Sequence, residues 1–304
     1  MKSISRRDLI KGALAVPAAG LLSSSFAQSG NPAKAGRLAD FGWSWEGQGL
    51  TGGGLSIFGV GEGVEYWGLR RAFLMWHPSN ELAMQKLRSL EEVICEISPS
   101  VKPIRCGENC VEMDSLPAYG QRSEDLLKEV ETVGRLSLTY PNINGVYLDD
   151  SLGRSDRKPN AVTPQLYASI HNTLTKANPK LKLWALVWTR QLYEEDWVGF
   201  KPYMDVIKLT MPWTTIEKDI PQLDRHIEKC REVFPTKPIV LGCNLYRFAP
   251  LMRPMPMELV KAQWERVLNY VRGGQINGYT ILGTFLIDVA QEQARWIRDF
   301  IAAN

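Results

Sequence analysis

Two aspartates stand side by side where an apolar run ends: Ile143-Asn144-Gly145-Val146-Tyr147-Leu148 leads straight into Asp149 and Asp150. A strand interior rejects unpaired charge, so a carboxylate at a strand's end is normally placed to meet something. Two carboxyl groups, one protonated and one ionised, can cut an acetal bond between sugars, the first assisting the leaving group and the second acting as nucleophile or base. Strand alternation separates the adjacent pair. Val146 and Leu148 suit a helix-facing side, which turns Tyr147 and Asp149 inward and sends Asp150 outward or into the loop. Asp149 therefore carries the catalytic expectation and needs a partner: Asp150, Glu46, Glu112, Asp114 or the Glu194-Glu195-Asp196 cluster, with Glu46 and Asp150 taken as the candidates.

The elements that must position these groups alternate regularly. Strand patterns fall at Leu38–Trp45, Arg70–Trp76, Val101–Cys106, Gly145–Asp149, Leu181–Trp188, Val206–Met211, Ile239–Asn244 and Tyr279–Phe285. Amphipathic helical stretches lie between them at Asn80–Ile97, Ser123–Thr139, Pro164–Ala177, Ile216–Phe234, Met257–Arg272 and Ala290–Ala302. Eight strands, each followed by a helix or helical segment, predict a single (β/α)8 TIM barrel over residues 37–304. The alternative is a doubly wound open sheet. It is disfavoured because Gly59-Val60-Gly61-Glu62-Gly63 follows no clear βα unit and lacks the spacing of a dinucleotide fingerprint.

In such a barrel the site lies where strands end. Read in order, those ends supply Trp43, Trp45 and Glu46; Trp76 and His77; Glu108 and Asn109; Asp149 and Asp150; Trp188 and Arg190; Trp213; then Asn244 and Tyr246. Five tryptophans at one rim, with carboxylates, amides and an arginine between them, suit a carbohydrate: a flat indole faces the C–H side of a sugar ring while polar groups bond its hydroxyls. The same alternation turns Lys208 and Thr210 of the sixth strand inward and places Asp40, Ser44 and Glu46 of the first toward the axis, with Phe41 and Trp43 against helices. Asp149, Lys208 and Glu46 are thus expected to share one cavity, with Lys208 neutralising an interior carboxylate such as Asp40 or Asp149.

Gly145-Val146-Tyr147-Leu148-Asp149-Asp150 resembles the fourth-strand motif of several glycoside-hydrolase barrels, the α-galactosidase and α-glucosidase clans among them. That resemblance implies Asp149 as nucleophile or base. Val206–Trp213, ending Met211-Pro212-Trp213, is similar to the sixth strand of chitinase-type barrels, which ends Met-x-Tyr. The chain departs from both patterns. Ser151 stands where the chitinase motif has its catalytic Glu, and the acids after the sixth strand, Glu217 and Asp219, come several residues later than in α-galactosidases.

The N-terminus says where the protein works. Arg6-Arg7, the apolar run Ala13–Leu22 and the small-x-small Ser25-Phe26-Ala27 resemble a twin-arginine export signal over residues 1–27, followed by a polar lead-in over 28–36. The expected location is the periplasm or beyond, and the export machinery is the expected protein partner. The apolar run falls short of the about 20 residues that span a bilayer, and no later segment spans one. Cleavage after Ala27 would take the net charge from +3 to about zero, which gives no reason to invoke nucleic acid or an anionic membrane surface. Five cysteines in an exported chain leave at least one thiol unpaired. Cys106-Gly107-Glu108-Asn109-Cys110 reads as a local disulfide or two buried thiols rather than a metal site, and no metal or other cofactor is expected.

Two other classes compete with a hydrolase. A non-catalytic sugar-binding barrel would keep the tryptophans without needing opposed carboxylates. A metal-dependent sugar isomerase or epimerase would need histidine and carboxylate ligands at strand ends. Of the three histidines, only His77 is expected there, because His171 and His226 fall within helical patterns. A serine hydrolase is disfavoured by the missing Gly-x-Ser-x-Gly elbow.

Overall fold

A computed structural model of the chain describes residues 36–45, 56–75, 77, 79–97, 103–106, 110–113, 123–149, 162–247 and 253–304. In chain order the strands are β1 (Gly42–Trp45), β2 (Arg71–Leu74), β3 (Glu92–Glu96), β4 (Pro103–Cys106), β5 (Cys110–Met113), β6 (Ile143–Leu148), β7 (Lys182–Trp188), β8 (Val206–Thr210), β9 (Ile239–Asn244), β10 (Tyr246–Arg247), β11 (Arg253–Pro254) and β12 (Gly278–Leu282). The helices are α1 (Val60–Trp67), α2 (Glu81–Lys86), α3 (Ser123–Ser137), α4 (Pro164–Ala177), α5 (Gln191–Glu194), α6 (Ile216–Asp219), α7 (Leu223–Val233), α8 (Met257–Arg272) and α9 (Gln291–Ala303).

Eight parallel strands close on themselves in the order β1-β12-β9-β8-β7-β6-β3-β2. This is a single (β/α)8 barrel with helices between its strands. Strands β6 to β9 are near-continuous apolar runs because both faces are covered, the inner by the barrel filling and the outer by helices. Local signals set the helix ends. Thr163 accepts from the Leu166 amide with Pro164 in the first turn of α4, Asn80 accepts from the Ala83 amide at the start of α2, and Gly68, left-handed at φ 66°, closes α1.

Two sequence expectations are corrected here. The third barrel strand is Glu92–Glu96, which the sequence pattern assigned to a helix over Asn80–Ile97; α2 in fact ends at Lys86. Val93, Ile94 and Cys95 are all fully buried, as a strand covered on both faces requires, and so short an apolar run cannot be told from helix by period alone. Pro103–Cys106 instead pairs antiparallel with Cys110–Met113 as a hairpin outside the barrel, with Cys106 opposite Cys110. The predicted helix over Ile216–Phe234 is α6, a 3-10 turn at Ile220–Gln222, and α7.

The facing of β1 is also reversed. Trp43 and Trp45 point into the barrel, where Trp43 meets Trp184 edge-on at 5.5 Å between centroids and Trp45 meets Tyr147 at 6.3 Å. Ser44 faces outward, its hydroxyl near Gly63 of α1. Gly278 of β12 makes the space for Trp43, since a Cβ there would lie 2.5 Å from the indole. Asp40 lies in a 3-10 turn before β1 and bonds Arg70 at 2.8 Å, away from the axis at the mouth.

Candidate functional site

The C-terminal mouth of the barrel holds one buried cation among carboxylates and aromatic rings. Lys208, from β8, is fully buried, and its Nζ lies 3.0 Å from the centroid of Trp45, 5.1 Å from Tyr147 and 5.8 Å from Phe73. The ammonium also donates to the Tyr147 hydroxyl at 3.4 Å, and that hydroxyl donates to Asp149 Oδ1 at 2.9 Å. Burial pushes the Lys208 amine well below its ordinary value, against the pull of Asp149 first and of Cys243 and Glu96 behind it.

Glu96 is the group that sequence reasoning missed. It ends β3, is fully buried, and stands in register with Tyr147 of β6, so its side chain shares the inward face of the strand beside it. Asp149 follows two residues after that register partner. With strands about 4.8 Å apart and about 3.3 Å of rise per residue, the two Cα atoms are about 8 Å apart, within reach of one shared group. Glu96 and Asp149 both act on Lys208, so two carboxylates and one ammonium form a single charge cluster from β3, β6 and β8. The short run Val93-Ile94-Cys95 bounded by acids was the one available signal.

Above this cluster the rim is partly exposed. Trp188, at the end of β7, and Trp213, after β8, meet edge-on with centroids 6.3 Å apart. The Trp188 amide donates to Gln191 Oε1 at 2.9 Å, fixing the turn that carries the ring. The loops after β8 and β9 are tied by Arg247 bonding Glu217 Oε1 at 2.6 Å, with Arg253 at 3.9 Å from the same oxygen. Asp219 accepts from the hydroxyls of Thr189 and Thr215, both at 2.9 Å, and lies 3.7 Å from His226 Nε2. Burial pulls Asp219 upward, yet the contacts from His226, Thr215 and Thr189 outweigh it and leave its carboxyl below the ordinary value. Glu217 and Asp219 are thereby engaged in holding loops together, which removes them as late substitutes for an acid after the sixth strand.

The structure brings Asp149, Lys208, Trp45, Trp188, Trp213, Asn244 and Tyr246 to the C-terminal half of the barrel. Asn244 and Tyr246 are buried, and Tyr246 opens the small β10–β11 ribbon. Trp43 is corrected: it lies below the rim, 5% exposed, with the Arg71 guanidinium over its ring at 5.0 Å. Arg190 and His77 are exposed on the strand-end side. Glu46, Trp76, Glu108, Asn109 and Asp150 lie outside the described residues. Among the described residues no group of three His, Cys, Asp or Glu side chains could hold a metal ion, and no helix is long and apolar enough to cross a membrane.

Residues 3–23 match the family model of the TAT (twin-arginine translocation) pathway signal sequence. No curated protein matches the chain. Among solved structures, the chain is similar to a provisionally assigned alpha-L-fucosidase from Bacteroides thetaiotaomicron VPI-5482, with 10% identity, 94% of this chain and 99% of that one covered, and a TM-score of 0.59. A beta-D-glucuronidase for Dictyoglomus thermophilum gives 13% identity and a TM-score of 0.55 over 88% of this chain and 51% of that one. A GH18 chitinase from Pseudoalteromonas aurantia gives 10% and 0.53 over 86% and 100%. At these identities the likeness is one of fold.

Proposed function

We propose that the chain is an exported glycoside hydrolase whose reacting carboxyl groups are Asp149 and Glu96. The observation that carries this reading is the buried cluster of two carboxylates at the ends of β3 and β6 and one ammonium from within β8, lying under an aromatic rim. In a barrel, charge at the C-terminal strand ends is where chemistry is done. Three described fold neighbours are carbohydrate-cleaving enzymes by their printed names, which supports the same substrate class here.

The roles follow from the hydrogen bonds. Asp149 accepts from Tyr147 and is the leading electrostatic partner of Lys208, contacts that suit a nucleophile or base. Glu96, fully buried and the weaker partner of the ammonium, serves as the acid that protonates the leaving oxygen. Asp150 and Glu46 remain proposals for the loops over the mouth. Trp188 and Trp213 supply a face for the sugar ring. The twin-arginine signal match over residues 3–23 supports export by that pathway, and cleavage after Ala27 with work outside the cytoplasm belongs to this proposal.

The test is hydrolysis of a panel of plant and microbial polysaccharides by the wild type, Asp149→Asn and Glu96→Gln. Release of reducing ends by the wild type and its loss in both variants is expected. Equal release by the Asp149→Asn variant would remove Asp149 from the mechanism and favour a non-catalytic binding barrel.

A further inference from the structure

Across the mouth from Asp149 and Glu96, three adjacent strands present polar atoms that have no partner in the protein. Asn244, the last residue of β9, is 1% exposed, and neither its amide nitrogen nor its amide oxygen makes a hydrogen bond. Thr210 at the end of β8 and Thr280 within β12 are fully buried, and each leaves its hydroxyl unbonded. Their facing follows from register. Thr210 stands beside Gly242 and Gly242 beside Thr280, and Asn244 lies two residues beyond Gly242 on the same face. A Cβ at Gly242 would fall 2.5 Å from the Thr210 hydroxyl, so the threonine side chain fills the inward space that the glycine leaves. Thr210 also shares its strand face with Lys208, which reaches the opposite wall.

The backbone of Asn244 is held from outside the barrel. Gln263 of α8, fully buried, accepts from the Asn244 amide N–H at 3.2 Å and donates to the Asn244 carbonyl at 2.9 Å. A single side chain thus clamps both backbone groups and leaves the carboxamide to face the mouth. Buried amides in folded proteins are almost always paired, and one left without a partner costs about 1–3 kcal/mol. That cost is recovered when a bound molecule supplies a donor and an acceptor side by side. A pair of neighbouring hydroxyls on a sugar ring does this, and a hydrocarbon or a bare anion does not.

We propose that Asn244 and Thr210 form the hydroxyl-reading wall of a ring-binding subsite facing Asp149 and Glu96, and that Gln263 is the positioning residue that aims Asn244 into it. This rests on the carbohydrate reading. It adds which hydroxyl-bearing wall of the barrel discriminates one sugar from another, and it names a residue on the helix layer that acts only through Asn244.

The test uses 4-nitrophenyl glycosides of α-L-fucose, β-D-glucuronic acid and N,N′-diacetylchitobiose, together with their monodeoxy analogues. On the glycoside that the wild type cleaves, Asn244→Ala is expected to lower kcat/KM about 10- to 100-fold, as loss of one or two neutral hydrogen bonds would. One monodeoxy analogue should lose a similar factor with the wild type and nothing further with Asn244→Ala. Gln263→Met, which keeps volume and removes both clamp bonds, should fall toward Asn244→Ala, and the double variant should be no worse than Asn244→Ala alone. Gln263→Glu, which retains the acceptor, should recover part of the loss and serves if Gln263→Met fails to fold. Cleavage of none of the glycosides would overturn the carbohydrate reading and this inference with it. Cleavage by the wild type with equal deoxy losses in wild type and Asn244→Ala would overturn the hydroxyl-reading wall alone. Additive losses in the double variant would overturn the positioning role of Gln263.

Discussion

The two ends of the barrel both carry charge, but they carry it differently. At the N-terminal end, Arg70 bonds Asp40 at 2.8 Å and Glu91 at 2.7 Å, and Arg71 lies 3.6 Å from Glu92 and 3.9 Å from Glu91. Cations and anions there alternate along the outer edge, from half-exposed at Arg70 to largely buried at Glu92, and each has an opposite neighbour. At the C-terminal end one fully buried ammonium faces two carboxylates, and the wall across from them presents unbonded amide and hydroxyl atoms. Charge that is paired and wet tunes stability by little, whereas charge that is dry and outnumbered is costly and is kept for chemistry.

Lys208→Met should have the largest effect, because it strikes the end where charge is dry. It leaves Glu96 and Asp149 without their shared cation, and removing one partner of a buried ionic group costs about 3–5 kcal/mol. Urea denaturation at neutral pH is expected to show that loss together with abolished hydrolysis. A variant as stable as the wild type would mean that the mouth is wetter than its burial implies. Glu96→Gln and Asp149→Asn come next. Each removes an acid or base at little cost in volume, so hydrolysis should fall on the order of 10³-fold, with a stability loss smaller than that of Lys208→Met because the other carboxylate still faces the ammonium.

How much of this could be read from the chain depends on whether the determining contact is local. Strands β6 to β9 were legible because their apolar runs are long, doubly covered and bounded by turns, and Asp149 and Lys208 came with them. Strand β3 was not, because Val93-Ile94-Cys95 is short and continues the helical spacing that begins at Asn80; Glu96 was lost with it. The facing of β1 depends on Gly278 in β12, eleven strands later in the chain and adjacent only after closure, which makes room for Trp43. Alternation within β1 holds equally well in either sense, so the sequence pattern had no means to choose. Gln263 was invisible for the same reason: on α8 it reads as one more polar helix residue, and only the packed barrel shows that it clamps Asn244.

Asp219 offers a third, intermediate case, a carboxylate near the C-terminal rim that is fully engaged. Asp219→Asn weakens the bonds to Thr189 and Thr215 and the contact to His226, for an expected loss of about 1–2 kcal/mol. Its carboxyl lies below its ordinary value when folded, so it contributes stability at neutral pH, and that contribution is lost as pH falls through the lowered value. The gap in Tm between wild type and variant should therefore be present at pH 7 and close below about pH 4. A gap that is unchanged at low pH would show that the carboxylate's charge does not matter there. Turnover should change far less than in Glu96→Gln.

Glu92→Gln is the smallest expected effect and the sharpest check on the contrast between the ends. Burial raises the Glu92 carboxyl above its ordinary value, opposed by Arg71 and Lys182, so the folded state holds this proton more tightly than the unfolded chain does. Wild-type stability from this group is therefore greatest at low pH and declines as pH rises through the raised value, whereas glutamine does not titrate. The Tm of the variant relative to the wild type should move in the variant's favour between pH 4 and pH 7, by less than the equivalent of about 1 kcal/mol, because Arg71 loses an ion pair in exchange. Hydrolysis should be unchanged, since Glu92 opens β3 and Glu96 closes it, on opposite ends of one strand. If Glu92→Gln instead reduced turnover as far as Glu96→Gln, the buried charge at the two ends would be doing the same work, and the catalytic reading of the C-terminal mouth would lose its main support.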